Sequence, residues 1–268
     1  MCYEVNVFFD ESGKAQEPLH FMGAASIPKH LHEKHKGQLN SIIKKHDIHW
    51  TKYSGHYETG NAIRDFIKIL LETPFLLSAN IISYNINVIE RNSKNIKPFM
   101  NDIVEHTVYN KFPERVIYGV VRKHGKHTRI KADLFIEHDN VYEPTSGIYS
   151  LKEDLPKQLN IQSVYRNDTY IVRNTEYRRK KEDFGIEFID LILGFTRLIV
   201  LNNPVAAGRN FKKRELLYEL LKKDKYNLFY FMENIKLYEW DNSSSQLEPI
   251  DFKNYLYTFI GTSRSLGL

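Results

Sequence analysis

FGIEFIDLILGFTRLIVL, Phe184–Leu201, is apolar on every side once it is wound as an α-helix. A helix without a polar face is either buried in a core or spans a membrane. Glu187, Asp190 and Arg197 lie inside the run and argue against a span, so the segment reads as a central buried helix. Asp190 sits in its middle, with Glu187 one turn before it. A lone buried carboxylate costs several kcal/mol unless a cation or hydrogen bonds compensate it. The sequence therefore asks what Asp190 binds. The plain alternative is a core aspartate satisfied by a neighbouring backbone group or arginine.

Upstream of this helix, residues 3–9 (YEVNVFF) alternate and then turn apolar, the pattern of a largely buried first strand. The cluster Asp10-Glu11-Ser12-Gly13 is expected to end it, and residues 18–27 (PLHFMGAASI) read as a second strand joined by a hairpin. Pro28 suits the first turn of a helix over residues 29–46, which residues 47–53 (DIHWTKY) interrupt. Residues 61–72 form an amphipathic helix ended by Pro74, and residues 75–84 (FLLSANIISY) a third strand. Residues 96–121 are helical with a break near Pro113, and residues 130–137 (IKADLFIE) form a strand ending at His138-Asp139-Asn140. A short helix is expected over 151–158, then strands over 161–165 and 170–173 around Arg166-Asn167-Asp168. A basic linker, 174–183, leads into the central helix. The order predicts a mixed α/β class, with one domain over residues 1–205 and a mostly helical C-terminal extension, 206–268, packed on it.

The chain has 268 residues, enough for a sizeable core. Lys and Arg number 38 against 33 Asp and Glu, a net charge of +5 that permits a polyanionic partner without requiring one. The single cysteine, Cys2, excludes a disulfide framework or a cysteine zinc site and fits a reducing compartment. The chain opens on a strand-like run with no signal-peptide pattern, so a cytoplasmic protein without membrane segments is expected.

Three carboxylates share a setting. Asp10 and Asp139 lie at the carboxyl ends of apolar strands, and Asp190 lies in the buried helix. Sites in open α/β sheets gather outside the carboxyl ends of strands. Convergent carboxylates without cysteine suit a hard cation such as Mg2+ or Mn2+, with Asp10, Asp139 and Asp190 as its ligands. Two such ions about 3.5–4 Å apart serve phosphodiester hydrolysis. A site built for a cation also implies that Asp190→Asn stabilises the metal-free protein by removing repulsion and desolvation. Acidic residues at strand ends are also common turn formers, so each alone says little. A strand running through both Asp10 and Glu11 would send them to opposite faces, with Asp10 the ligand.

FFDESG (Phe8 to Gly13), DIHW (Asp47 to Trp50) and GIEFIDLILG (Gly185 to Gly194) resemble the motifs of the domain-of-unknown-function 3800 family. That pattern is an apolar strand ending DESG, an E-I-H-x segment and G-I-Q-x-A-D-x-x-x-G. The likeness covers roughly residues 3–200. It implies a ribonuclease H-like mixed sheet flanked by helices and a metal-dependent nuclease activity. It makes Asp10, Glu11, Asp47, His49, Asp139 and Asp190 the candidate catalytic residues. Here Asp47 replaces Glu, Glu187 replaces Gln and Ile189 replaces Ala. His49 would serve as general base or proton shuttle, since imidazole exchanges protons near neutral pH.

Two basic runs could grip phosphates: Arg122, Lys123, Lys126 and Arg129 in RKHGKHTRIK, and Arg178, Arg179 and Lys180 before the central helix. A charge run is otherwise a solvated face. The first expectation is a Mg2+- or Mn2+-dependent nuclease acting on DNA or RNA. The alternatives are an inactive relative that binds nucleic acid, and an effector that meets a protein partner, or another copy of itself, through its C-terminal helices.

Overall fold

The computed structural model describes residues 2–13, 17, 19–93, 107–125, 127–138, 150–204, 207–241 and 246–268. Among these, seven strands form one mixed sheet. They are β1 (Cys2–Ser12), β2 (Leu19–Pro28), β3 (Ser78–Asn85), β4 (Arg129–Glu137), β5 (Tyr170–Arg178), β6 (Lys236–Asp241) and β7 (Gln246–Ile250). Their spatial order is β5-β4-β1-β2-β3-β6-β7. Strands β1, β2 and β3 form an antiparallel meander. Strands β4 and β5 continue it in parallel on one side, and β6 runs parallel to β3 on the other.

Both faces of the sheet are covered, which is why β1 reads as a nearly continuous apolar run. Side chains of a strand alternate between faces. Phe8 enters one core with Phe21, Ala25 and Ile27, beneath α1 (Lys29–Lys45), α2 (Tyr57–Leu70) and the central helix. Val5, Val7 and Phe9 enter the other with Val116, Ile117 and Leu155. The short helix α3 (Ile86–Ser93) follows β3, and helices α4 (Phe112–Val121) and α5 (Leu151–Tyr165) cover the second face. The central helix is α6 (Phe184–Leu201), with the bounds its sequence implies. Asp183 caps it by accepting from the Gly185 N–H at 2.9 Å, and Asn202 ends it at φ 41.

Several expectations change. Strand β1 does not end at Asp10, because Glu11 and Ser12 still pair with Met22 and Phe21. Residues 74–76 form a 3-10 turn, so β3 begins only at Ser78. Residues 161–165 are not a strand but the end of α5. Leu151, Leu155, Leu159 and Ser163 recur every four residues on its buried side, and Ile161, Val164 and Tyr165 face outward. The expected linker after Arg173 is strand as far as Arg178, an edge strand whose polar residues hid it. The segment after residue 206 holds α7 (Gly208–Lys222), α8 (Leu228–Glu233) and α9 (Phe252–Ser265), but it also supplies β6 and β7 to the sheet. Buried Arg214 ties that segment to the end of α6, donating to Asn202 Oδ1 at 2.9 Å and Ser263 Oγ at 3.0 Å.

Two glycines let α6 approach its neighbours. A Cβ on Gly185 would meet the Phe8 ring at 2.3 Å, and one on Gly194 would meet Trp50 Cδ1 at 2.0 Å. Trp50 is stacked on Tyr53 and set edge-on to Phe195, so it has little room to retreat. Gly194→Ala is therefore expected to cost about 1–3 kcal/mol through overpacking. Gly37→Ala on α1, with nothing within 4 Å, is expected to stabilise by roughly 0.5–1 kcal/mol. Thermal unfolding of the two variants reads opposite signs.

Candidate metal centre

Strands β1 and β4 run in parallel with Phe9 opposite Ile136. One step further along each strand stand Asp10 and Glu137, and alternation turns both toward α6. Glu187 and Asp190 lie three residues apart on α6, so they share one of its faces. The loop between α1 and α2 brings His49 and Trp50 over the same place. His49 Nδ1 is 2.8 Å from Asp190 Oδ2, and the Trp50 N–H donates to that oxygen at 3.1 Å.

Lys180, in the turn between β5 and α6, completes the cluster. Its Nζ lies 3.0 Å from Asp190 Oδ1, 3.1 Å from Glu137 Oε1 and 3.9 Å from Asp10 Oδ2. His49 Nδ1 is 3.3 Å away. Three carboxylates from three elements thus surround one ammonium.

The electrostatics follow from burial and this crowding. Burial pushes the Asp10 carboxyl well above the usual range, and the adjacent Glu137 and Asp190 carboxyls add to the effect against Lys180. Asp10 Oδ2 is buried beside Glu137 with no donor within hydrogen-bond distance among the described residues. Burial also raises Asp190, but the hydrogen bond with His49 and the charge of Lys180 outweigh it and hold Asp190 below the usual range. Burial, then the charge of Asp190, raises Glu187, whose Oε1 accepts from the Lys181 N–H at 2.9 Å. Its other oxygen, Oε2, is buried without a hydrogen-bond partner among the described residues. Burial alone would lower Lys180, yet the charges of Asp10, Asp190 and Glu137 hold it well above the ordinary lysine range.

His49, Glu187 and Asp190 could hold a metal ion, since one ligand atom from each lies within 4.8 Å of the others. The donor set fits a hard cation: it is mostly carboxylate, and Glu187 Oε2, like Asp10 Oδ2 nearby, is a buried oxygen with no donor among the described residues.

The sequence-derived site is partly assembled here. Asp10, His49 and Asp190 meet. Glu11 does not join them, because its side chain turns to the opposite face, where its charge acts on Tyr84. Its N–H instead donates to Asp10 Oδ1 at 2.7 Å. Asp47 lies at the surface, paired with Lys52 at 2.9 Å and Lys181 at 3.7 Å. Asp139 lies outside the described residues, and the carboxylate that β4 delivers is Glu137. Glu137 and the ammonium of Lys180 were legible only as a strand end and as part of a basic run. The signal for Glu137 was its place one residue past the apolar pattern of β4, as Asp10 is past that of β1.

The basic residues separate. Arg129 opens β4 and Glu137 ends it, about 26 Å apart at roughly 3.3 Å per residue. Arg122 is held by the Tyr118 hydroxyl at 2.6 Å and lies 3.6 Å from Asp168. Lys126 lies outside the described residues, and the backbone of Lys123 belongs to the 3-10 turn that follows α4. Arg178 pairs with Glu176, and exposed Arg179 flanks the cluster. On α1, Lys36, Gly37, Asn40, Ser41, Lys44 and Lys45 line an open groove of about 590 Å³. Asn40 Oδ1 accepts from the Phe184 N–H at 3.0 Å, so this groove adjoins the first turn of α6.

The chain matches no family model, no curated protein and no solved structure. No helix among the described residues is long and apolar enough to cross a membrane.

Proposed function

We propose that the protein is a Mg2+- or Mn2+-dependent phosphodiesterase of ribonuclease H-like fold acting on nucleic acid. The observation that carries this reading is the His49, Glu187 and Asp190 group with Asp10 and Glu137 beside it around Lys180, and two buried carboxylate oxygens without donors among the described residues. The antiparallel β1–β2–β3 meander joined by parallel β4 and β5 supports the fold, and the resemblance to the domain-of-unknown-function 3800 motifs stands beside it.

His49, Glu187 and Asp190 would hold the ion, with Asp10 and Glu137 flanking it. When bound, such an ion supplies Lewis-acid stabilisation of charge on phosphoryl oxygens and acidifies a water. The protein's part is orientation. The Glu11 N–H fixes Asp10, and the Trp50 N–H fixes Asp190. Asp190 in turn fixes the His49 ring through Nδ1, which leaves Nε2 to give or take a proton. Calorimetric titration with Mn2+, together with cleavage of labelled single- and double-stranded DNA and RNA, tests the reading. Absence of both sinks it. One observation favours a second reading, an inactive relative that binds nucleic acid: Lys180 already neutralises part of the cluster. That reading expects binding of nucleic acid without cleavage or metal uptake.

Phosphate grip is expected from the α1 groove rather than from residues 122–129. Lys44 and Lys45 form no ion pair among the described residues, whereas Arg122 is committed to Tyr118 and Asp168. Each lost phosphate contact lowers the slope of log K against log salt by about 0.7–0.9. Lys44→Gln with Lys45→Gln is expected to flatten the salt dependence by one to two such contacts. Arg122→Gln is expected to leave it unchanged. The reverse order would place the grip at the other end of β4.

A further inference from the structure

Resting on the metal-dependent reading, we propose that Lys180 is the resident cation of the carboxylate cluster, that it leaves when a divalent ion enters, and that its displaced ammonium then holds a phosphodiester oxygen. Lys180 becomes a positioning residue for substrate, set by the metal.

The geometry carries this in three respects. First, the ammonium stands 3.0 Å from Asp190 and 3.3 Å from His49 Nδ1, two members of the group that would ligate an ion, and 3.1 Å from Glu137 and 3.9 Å from Asp10 beside it. Two cations do not share that place, because like charges repel in a low-dielectric site. Second, the lysine can leave. Its side chain is 28% exposed, against 1% for Asp10 and 9% for Asp190, so the stem spans the mouth of the cluster. The ammonium rides on a flexible four-carbon stem and can move several ångströms without backbone change. Its backbone lies in the turn over residues 180–182, and that turn is pinned independently by Lys181 N–H to Glu187 and Arg179 N–H to Glu182. Third, among the described residues two carboxylate oxygens have no hydrogen-bond donor while Lys180 is in place, Asp10 Oδ2 and Glu187 Oε2. One monovalent ammonium does not complete this donor set. Outside the cluster, exposed Arg179 and Lys181 flank Lys180, so the displaced ammonium joins a cationic rim suited to phosphate.

The full chain and its Lys180→Met variant are titrated with Mn2+ alone by calorimetry. In parallel, acetic anhydride labelling of Lys180 in the wild type is followed by mass spectrometry with and without saturating Mn2+. The expected result is tenfold or tighter Mn2+ binding by the variant, and threefold or faster labelling of wild-type Lys180 when Mn2+ is present. The labelling arm needs no substitution, so it decides the matter even if the variant fails to fold. Wild-type binding of Mn2+ with unchanged or weaker affinity in Lys180→Met overturns the displacement while the metal reading stands. Labelling that Mn2+ leaves unchanged or slows does the same. A wild type that takes up no Mn2+ overturns both. In that case, uptake by Lys180→Met would show the lysine to be a permanent occupant.

Discussion

Asp10→Asn is expected to lower phosphodiester cleavage by about a thousandfold or more while leaving nucleic-acid binding within roughly twofold. Grip and rate have separate sources. Binding of a polyanion comes from Lys and Arg contacts to phosphates. Rate comes from charge neutralisation at the reacting phosphoryl group, where a metal contributes several kcal/mol and each 1.4 kcal/mol or so is tenfold. Apart from its part in holding Lys180, which keeps Asp190 and Glu137 as nearer partners, Asp10 makes no side-chain contact among the described residues that the substitution would break. Its backbone is held by pairing with Gly23, and its Oδ1 accepts a hydrogen bond from the Glu11 N–H that the Asn side-chain oxygen can still accept. Oδ2 has no donor to lose. Removing the charge also removes a carboxyl that burial and Glu137 hold in an unfavourable state, so thermal stability should hold or rise slightly. The measurement is cleavage of labelled DNA and RNA with Mn2+ supplied, beside a binding titration and a melt. Equal cleavage by variant and wild type would remove Asp10 from the reaction. Activity that persists in excess chelator would remove the metal.

Local pattern carried further for elements than for the site. The bounds of α6 were legible because its apolar run is uninterrupted and Asp183 and Asn202 bracket it. The opposition of Asp10 and Glu11 was legible because strand side chains alternate. What alternation does not give is register between strands. Glu137 reaches Asp10 only because β4 pairs with β1 so that Ile136 faces Phe9, a consequence of tertiary packing that no single segment states. Asp139, the carboxylate expected from this strand, lies outside the described residues, and Glu137 was not singled out. Lys180 illustrates a different blindness. In Arg178-Arg179-Lys180-Lys181 nothing local distinguishes a cation held by three carboxylates from Arg178, which pairs with Glu176, or from exposed Arg179 and Lys181. Residues 161–165 failed for a third reason: an apolar run at the exposed end of a helix mimics a strand when its buried repeat is read too briefly.

Asp190→Asn is now expected to destabilise the protein by about 1–3 kcal/mol at neutral pH, the reverse of what a lone buried carboxylate would imply. The sequence alone placed Asp190 in a site built for a cation, where removing repulsion and desolvation should help the metal-free protein. The structure supplies the compensation: His49 at 2.8 Å, the Trp50 N–H at 3.1 Å and Lys180 at 3.0 Å. Asn keeps one acceptor, enough for the Trp50 N–H, but it leaves Lys180 and His49 with a neutral partner. Removing one member of a buried pair is costly because the other stays buried. Lys180 retains Glu137 and Asp10, which keeps the cost toward the lower end. The pH dependence has a definite sign. Asp190 is held below the usual carboxylate range in the folded state despite burial, so it binds its proton less readily folded than unfolded. Its contribution is present above the ordinary carboxylate pKa and is lost as pH falls through the lower folded value. The gap between wild type and Asp190→Asn should therefore be widest at neutral pH and close in acid. Denaturant unfolding at a series of pH values without metal measures it. A variant as stable as wild type at neutral pH, or a gap that widens on acidification, would mean that burial outweighs the three partners after all.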